Sequence, residues 1–575
     1  MSIYSALYRP NLKILVAWRV VNALLLHTFF QADEFWQSLE PAHLKAFGYG
    51  QLTWEWKLGI RGYLFPLIFE ICYRFINVIS KLLTMIDVDP VLVEKYEYIG
   101  VLVIPKIVMG ILAAIGEYHM IMLVRKICVL SMCDHKNEDR PNEEKTGDNL
   151  TVLQQVTVIA HIISMANFFN WFAMTRTFVN SFEMILTSIA LCHWDWTGGE
   201  FIESSEFSRA LFWAMMTCFI RVSNGLIWLI LGGFMFLSIF KKRQWSKIEV
   251  LFKKIVFVFL LVGVINVAID YYFYGEIFFP VFRFLKFNFT SPLAKFYGVA
   301  PWHFYLFQGI PIITSSALIP FLYGMHHSLS SRPDSSIMYA PFVQFKFVVL
   351  LNIIVYSSLA HKEFRFIYPL QPFFLVIATF GYRRIRYILS DHKKVVALIS
   401  SGVSIIVFVS AVIVGYYHES GVIEVVQYIH NQPDISSVGF IMPCHSTPWQ
   451  SHIHRDDIQN MWSISCEPPL HLLDDPNANE RLPFYMDESD YLYDNIPKFI
   501  NEHIVTTKSK VDMLHNTWVH EWPEYLVVFG HMDDAFMHSH LKGTSYREDV
   551  RFFNTFGHWD SRRNGDVIVY RKDVI

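Results

Sequence analysis

Residues 251–270 read LFKKIVFVFLLVGVINVAID, with Lys253 and Lys254 near one end and Asp270 at the other. Between them runs an uncharged apolar stretch. About 20 such residues are what a helix needs to cross a bilayer. Upstream, Lys241, Lys242, Arg243 and Lys247 extend the basic cluster. Clustered Lys and Arg beside a span stay in the cytosol, so this segment carries its chain out of the cytosol. Similar stretches recur near 11–30, 98–130, 151–171, 173–192, 209–222, 224–240, 301–324, 342–360, 365–382 and 396–417, and then stop. The pattern predicts a polytopic α-helical membrane protein with about eleven transmembrane helices. The stretch 98–130 is longer than one crossing needs. The two stretches within 209–240 are short for separate spans, and one long tilted helix is the other reading.

Composition agrees. The 575 residues are 53% hydrophobic and 17% charged, against roughly 25% charged in soluble domains. Mean hydropathy is +0.31. A net charge of −3 without basic excess excludes a nucleic-acid partner. The absence of a G-x-x-x-x-G-K loop argues against an ATP-driven pump. Seven cysteines without a C-x-x-C pair give no zinc or redox framework. No internal repeat of the transporter kind is present.

The first span is not a cleavable signal, because it holds Arg19 and Asn22 and lacks a small-residue cleavage site. Arg9 and Lys13 place its N-terminus in the cytosol. A second basic cluster, Arg383, Arg384, Arg386, Lys393 and Lys394, is cytosolic by the same rule. Counting spans then puts 31–97, 271–300, 361–364 and everything after 417 on the opposite, lumenal side. The sequon at Asn288 agrees with this sidedness. The sequon at Asn149, in the polar loop 131–150, does not. The chain divides into a transmembrane portion, 1–417, and a tail, 418–575. The tail carries strand-like runs at 437–442, 525–529 and 566–570 and reads as an α/β domain of about 150 residues.

Four stretches hold residues able to do chemistry. Asp33 and Glu34 follow the first span directly, in QADEFWQSLEPAH (31–43). They can serve as a general base or form a solvated helix start with Asp33 as its cap. Trp54, Glu55 and Trp56, followed by Arg61, suit a sugar site, where rings stack on C–H faces and acids hold hydroxyls. An interfacial aromatic belt reads the same way. His361, Lys362, Glu363 and Arg365 sit between two spans, where cations suit a lipid phosphate or only reach for water. Arg176, with Asn180, Ser181 and Glu183, interrupts an apolar helix; an Arg–Glu pair there reads as structural glue. In the tail, His452, His454, His538 and His540 form no metal-ligand pattern. Asp87-Val88-Asp89 is too short a D-x-D match to carry a nucleotide-sugar reading. Cys444 and Cys466 share the lumenal side, where a disulfide or two buried thiols fit.

Taken in order, Phe30-Gln31-Ala32-Asp33-Glu34 with Gln37 and Glu40, Gly50-Gln51-Leu52-Thr53-Trp54-Glu55-Trp56, Tyr297-Gly298 with Pro301-Trp302-His303-Phe304-Tyr305, and His361-Lys362-Glu363-Phe364-Arg365-Phe366 resemble glycosyltransferase family 22. These are polytopic mannosyltransferases of GT-C architecture in the endoplasmic reticulum that use dolichyl phosphate mannose. Arg61-Gly62-Tyr63 and the tail motif Ile441-Met442-Pro443-Cys444-His445-Ser446-Thr447-Pro448 resemble the branch acting third on the glycosylphosphatidylinositol (GPI) core. The resemblance implies an α-1,2 bond to a dimannosyl GPI lipid, with inversion. It implies Asp33 as base with Glu34 in support, and His361, Lys362 and Arg365 around the donor phosphate. Trp54, Glu55, Trp56 and Arg61 are implied on the acceptor side, with Tyr297, Trp302 and His303 near the donor. No metal or other cofactor is implied. The partners are the two lipid-linked substrates and membrane lipids; the sequence names no protein partner. Sister enzymes extending N-glycan precursors or adding a fourth GPI mannose are the nearest alternatives. A lipid or sugar transporter shares the spans but has no need of the acid pair.

Overall fold

The computed structural model describes residues 10–573 apart from 134–141, 291–292, 294–295, 297, 328–339, 474 and 507–517. A helix occupies each of the eleven stretches read as spans. Six helical segments among the described residues are long and apolar enough to cross a membrane: 90–131, 222–241, 305–326, 341–358, 364–388 and 394–430.

The first helix, Leu12–Leu25, is started by the Asn11 side chain, which accepts the Lys13 N–H at 3.0 Å. It packs along Pro90–Cys133, a 44-residue helix whose length of roughly 66 Å exceeds the hydrocarbon core. The two backbones meet at Gly110, where an added Cβ would lie 2.9 Å from Val20 Cα. Arg19 is fully buried there and pairs with Glu117 at 2.7 Å; Ser164 donates to the same carboxylate. A charge inside a span is tolerated when it is paired within the bundle.

One open alternative of the sequence reading is settled, and two elements differ from it. Residues 205–241 form two helices, Ser205–Ile220 and Gly225–Lys241, broken by an extended Arg221 and a 3-10 turn. The single tilted helix is therefore excluded. Asn224 fixes the break by donating to Glu183 and Thr187. The span at 301–324 is interrupted by a π turn, Tyr305–Gly309, and a 3-10 turn, Ser315–Ala317. Asn167 takes up the freed carbonyls of Ile313 and Thr314 at 2.8 and 3.1 Å, which makes the break affordable. Lastly, the segment 31–97 is helical in large part. Leu64–Met85 buries Phe65, Phe69, Tyr73 and Ile76 on one face and exposes Ile71, Phe75, Val78 and Leu82 on the other. Glu70, Arg74 and Lys81 interrupt this stretch and disguise it as a loop.

The tail follows a short π turn, Ile413–Tyr417, that ends the last membrane helix. Its strands are β1 (Ser437–Ile441), β2 (Asn460–Ser463), β3 (Ile504–Val505), β4 (His520–Glu521), β5 (Tyr525–Phe529), β6 (Tyr546–Thr555) and β7 (Gly565–Lys572). Five form a mixed sheet in the order β2-β1-β5-β7-β6. β1 pairs parallel with β2 and β5, while β7 pairs antiparallel with β5 and β6. The sequence reading found β1, β5 and β7, whose apolar residues are buried, and missed the more exposed β2 and β6. One hydrophobic core runs from the membrane helices into Val422–Phe440 and β5.

Candidate active site

The acid loop after the first helix is built from outside itself. Arg176 donates to Glu34 Oε2 at 2.9 Å, to the Thr28 carbonyl at 2.6 Å and to Thr28 Oγ1 at 2.8 Å. Its plane lies over Phe172 at 4.4 Å. Thr177 Oγ1 donates to the Glu34 carbonyl. The expected Arg176–Glu183 pair is thus not formed. Arg176 lies before the helix Val179–His193 and turns to the acid loop, and Glu183 pairs with Arg221 at 3.3 Å. Glu34 is 7% exposed. Burial raises its carboxyl, and Arg176 opposes the rise.

Asp33, one residue earlier, points the other way. It ion-pairs with Arg365 rather than capping the helix. Arg365 also grips Glu363 with two bonds, at 2.7 and 2.9 Å. His361 Nε2 meets Glu363 at 3.0 Å, and Gln31 donates to the same carboxylate at 3.0 Å. Burial pushes Glu363 up, but the charges and hydrogen bonds of Arg365 and His361 outweigh it and hold the group well below the usual carboxylate range. Lys362 turns instead to backbone carbonyls, Ala300 at 2.7 Å and Leu359.

Asp33, Glu363, Arg365, His361 and Lys362 line a cavity of 2460 Å³ with Trp54, Glu55 and Arg61. Arg61 pairs with Glu55, and Gln37 donates to Glu55 at 3.2 Å. The Arg61–Tyr63 turn is pinned by Asp270, which accepts the Tyr63 N–H at 2.8 Å, and by Tyr274, which donates to the Arg61 carbonyl. Trp54 and Trp56 are buried rather than spread at an interface. Trp54 packs on Phe287, whereas Trp56 donates to the Trp36 carbonyl behind the wall. From the charged end the cavity continues as an apolar trough between Ser205–Ile220, Gly225–Lys241 and Trp245–Tyr274, past Leu211, Met215, Leu229, Phe236 and Ile255. Its volume exceeds the 300–1,000 Å³ typical of small-ligand pockets. Arg221 lines it too and was missed in the sequence, where it reads only as the end of a helix.

Trp302 is 67% exposed and, with His303, stands on the turn entering the π turn, outside the cavity wall. Tyr297 lies outside the described residues. Asn288 is exposed on Pro280–Thr290 at the cavity edge, and its amide donates to the Phe284 carbonyl.

The tail braces the acid loop. Trp36 donates to the Thr447 carbonyl at 3.2 Å and meets the His445 ring at 4.8 Å. Glu40 accepts the Trp449 N–H at 2.8 Å and the Ser451 hydroxyl at 2.6 Å. Burial lowers His445 to about 4, so it packs there as a neutral ring. Cys444 and Cys466 are joined, closing a loop with a sequence separation of 22. A closed loop of this size constrains the unfolded chain by about 3 kcal/mol. Replacing both cysteines by serine is expected to lower stability by about 2–4 kcal/mol, read as a lower thermal midpoint in detergent. An unchanged midpoint would show that the bridge is dispensable. Among the described residues, Cys444, His445 and Cys466 are the one group with metal-ligand spacing, and the bridge occupies both sulfurs.

Residues 11–454 match the Alg9-like mannosyltransferase family. The chain is 48% identical to GPI mannosyltransferase 3 of Saccharomyces cerevisiae over 97% of its own length and 95% of that protein's. It is 46% identical to GPI mannosyltransferase 3 of Candida glabrata over 97% and 95%. Its fold is similar to that of ArnT from Cupriavidus metallidurans bound to undecaprenyl phosphate, with a TM-score of 0.55 at 11% identity over 97% of this chain and 96% of that one. That likeness gives the GT-C architecture read from the sequence.

Proposed function

The chain belongs to the Alg9-like mannosyltransferase family, and from this premise we propose that it transfers a mannose from dolichyl phosphate mannose to the dimannosyl GPI precursor, forming an α-1,2 bond with inversion. It does so on the lumenal face of the endoplasmic reticulum membrane. The GPI acceptor follows the names of the relatives. The observation that carries the donor is the cavity itself. A cluster of cations and carboxylates closes one end, and an apolar trough leads away between membrane helices. A lipid phosphate sugar has that division of polarity.

In the reaction, the acceptor's 2-hydroxyl oxygen attacks the mannose anomeric carbon from the face opposite the phosphate. The new C–O bond forms as the bond to the phosphate oxygen breaks, and the electron pair leaves with dolichyl phosphate. Asp33 takes the hydroxyl proton. Arg365 and His361 face the charge that develops on the phosphate, with Lys362 behind them. Because Arg365 is shared between Asp33 and Glu363, a phosphate arriving at the guanidinium competes with Asp33. Donor binding thereby frees the base. Glu34 holds the loop through Arg176, a positioning task.

His361 carries a pH prediction. Its hydrogen bond to Glu363 raises it above the ordinary 6.5, against burial. The charged pair is intact below that value and is lost as pH rises through the raised one. The kcat/KM for donor is therefore expected to be highest below pH 6.5 and to fall as pH rises through the raised value. His361→Gln should remove that limb and lower the plateau. An unchanged profile in His361→Gln would take His361 out of donor binding. The donor itself is tested in membranes carrying the chain: dolichyl phosphate mannose should support transfer, and GDP-mannose should not once dolichyl phosphate mannose synthesis is blocked. Transfer from GDP-mannose under that block would contradict the proposal.

A further inference from the structure

We propose that the β6–β7 loop of the tail is a glycan-binding subsite, with Trp559 as the face on which a sugar ring of the acceptor stacks. This rests on the reading of the second substrate as a lipid-linked glycan. Trp559 is 91% exposed, yet it lines the same cavity as Asp33 and Arg365. An exposed indole is a large apolar surface held in water, and its position at a cavity mouth gives it a use. Pyranose rings present C–H faces that pack on an indole while their hydroxyls stay solvated.

The loop is held stiff, as a platform must be. Asp560 accepts two bonds from Arg562, each at 2.9 Å. Asn564 Oδ1 accepts the His558 N–H at 2.6 Å, and Thr555 Oγ1 accepts the Gly557 N–H at 3.1 Å. His558 Nε2 meets Glu419 at 3.0 Å. Glu419 ties the platform to the base: its carbonyl accepts the Phe29 N–H at 2.9 Å, four residues before Asp33, and its N–H donates to the Asn554 carbonyl at 2.7 Å. A second tail residue, Asn479, also lines the cavity and brings an amide suited to hydroxyls. The apolar trough leaves the charged cluster along the membrane helices and suits the donor's lipid. The tail-side mouth is left for the acceptor's sugars.

The test measures transfer by the full-length chain in membranes, with dimannosyl GPI as acceptor. Trp559→Ala is expected to raise the acceptor KM about tenfold while the donor KM holds, and Trp559→Tyr to recover most of the loss. An acceptor KM equal to wild type overturns the subsite. So does an equal rise in both KM values. A lowered thermal midpoint in bilayers with both KM values unchanged also overturns it, and makes Trp559 a membrane-interface anchor. If the wild-type chain ignores dimannosyl GPI and extends a dolichol-linked N-glycan precursor, the acceptor reading fails on its own. The same KM comparison on that precursor then decides the subsite.

Discussion

Asp33→Asn is expected to lower the turnover of mannosyl transfer by about 10³-fold, within the range that a positioned general base contributes. The amide keeps the shape of the carboxylate but cannot take the hydroxyl proton. Asp33 lines the cavity and pairs with Arg365 at the charged end, where Glu363 is held by both Arg365 and His361. Glu34, beside it in sequence, is buried against Arg176 and turned from that space. The acceptor KM should change little, because the loss is made in the transition state, and the donor KM should fall, because the amide no longer competes with the phosphate for Arg365. Glu55 lines the cavity too and is held by Arg61. An active Asp33→Asn enzyme with an inactive Glu55→Gln enzyme would move the base to Glu55.

The second large effect is on folding. Arg176→Ala should destabilise the protein by about 3–5 kcal/mol, the cost of leaving one partner of a buried ion pair unmatched. Arg176 is 3% exposed and makes four hydrogen bonds, to Phe172, to both oxygens of Thr28 and to Glu34. Removing it strands the Glu34 carboxylate under the acid loop. Replacing Glu34 by Gln alongside Arg176→Ala removes the stranded charge and should recover part of the loss. A thermal midpoint in detergent equal to wild type for Arg176→Ala would show that the acid loop does not depend on this anchor.

The fold was legible where physics is local. An apolar run marks each stretch read as a span and a helix stands at each, and β1, β5 and β7 are apolar because both their faces are covered. Leu64–Met85 escaped because an amphipathic helix carries its own charges. Residues 209–240 were ambiguous because a break depends on what Asn224 finds across the bundle, namely Glu183. In the site, Asp33 and the 361–365 cluster stood out by residue type, and the structure joins them across more than 300 residues of sequence. Such joins are tertiary. The pairing of Arg176 with Glu34, 142 residues away, has no trace in local pattern. Arg221 looked like a helix end until the trough formed around it. Trp559 sits in a turn with no motif, and only the approach of the tail to Phe29 gives it a cavity to face.

The most direct test of the account is the identity of the product. Membranes carrying the chain would be given labelled dolichyl phosphate mannose together with dimannosyl GPI and a dolichol-linked N-glycan precursor in competition. The account predicts that one mannose enters the dimannosyl GPI and that an α-1,2-specific mannosidase removes it. Label entering only the N-glycan precursor, or a GPI product resistant to that mannosidase, would contradict it.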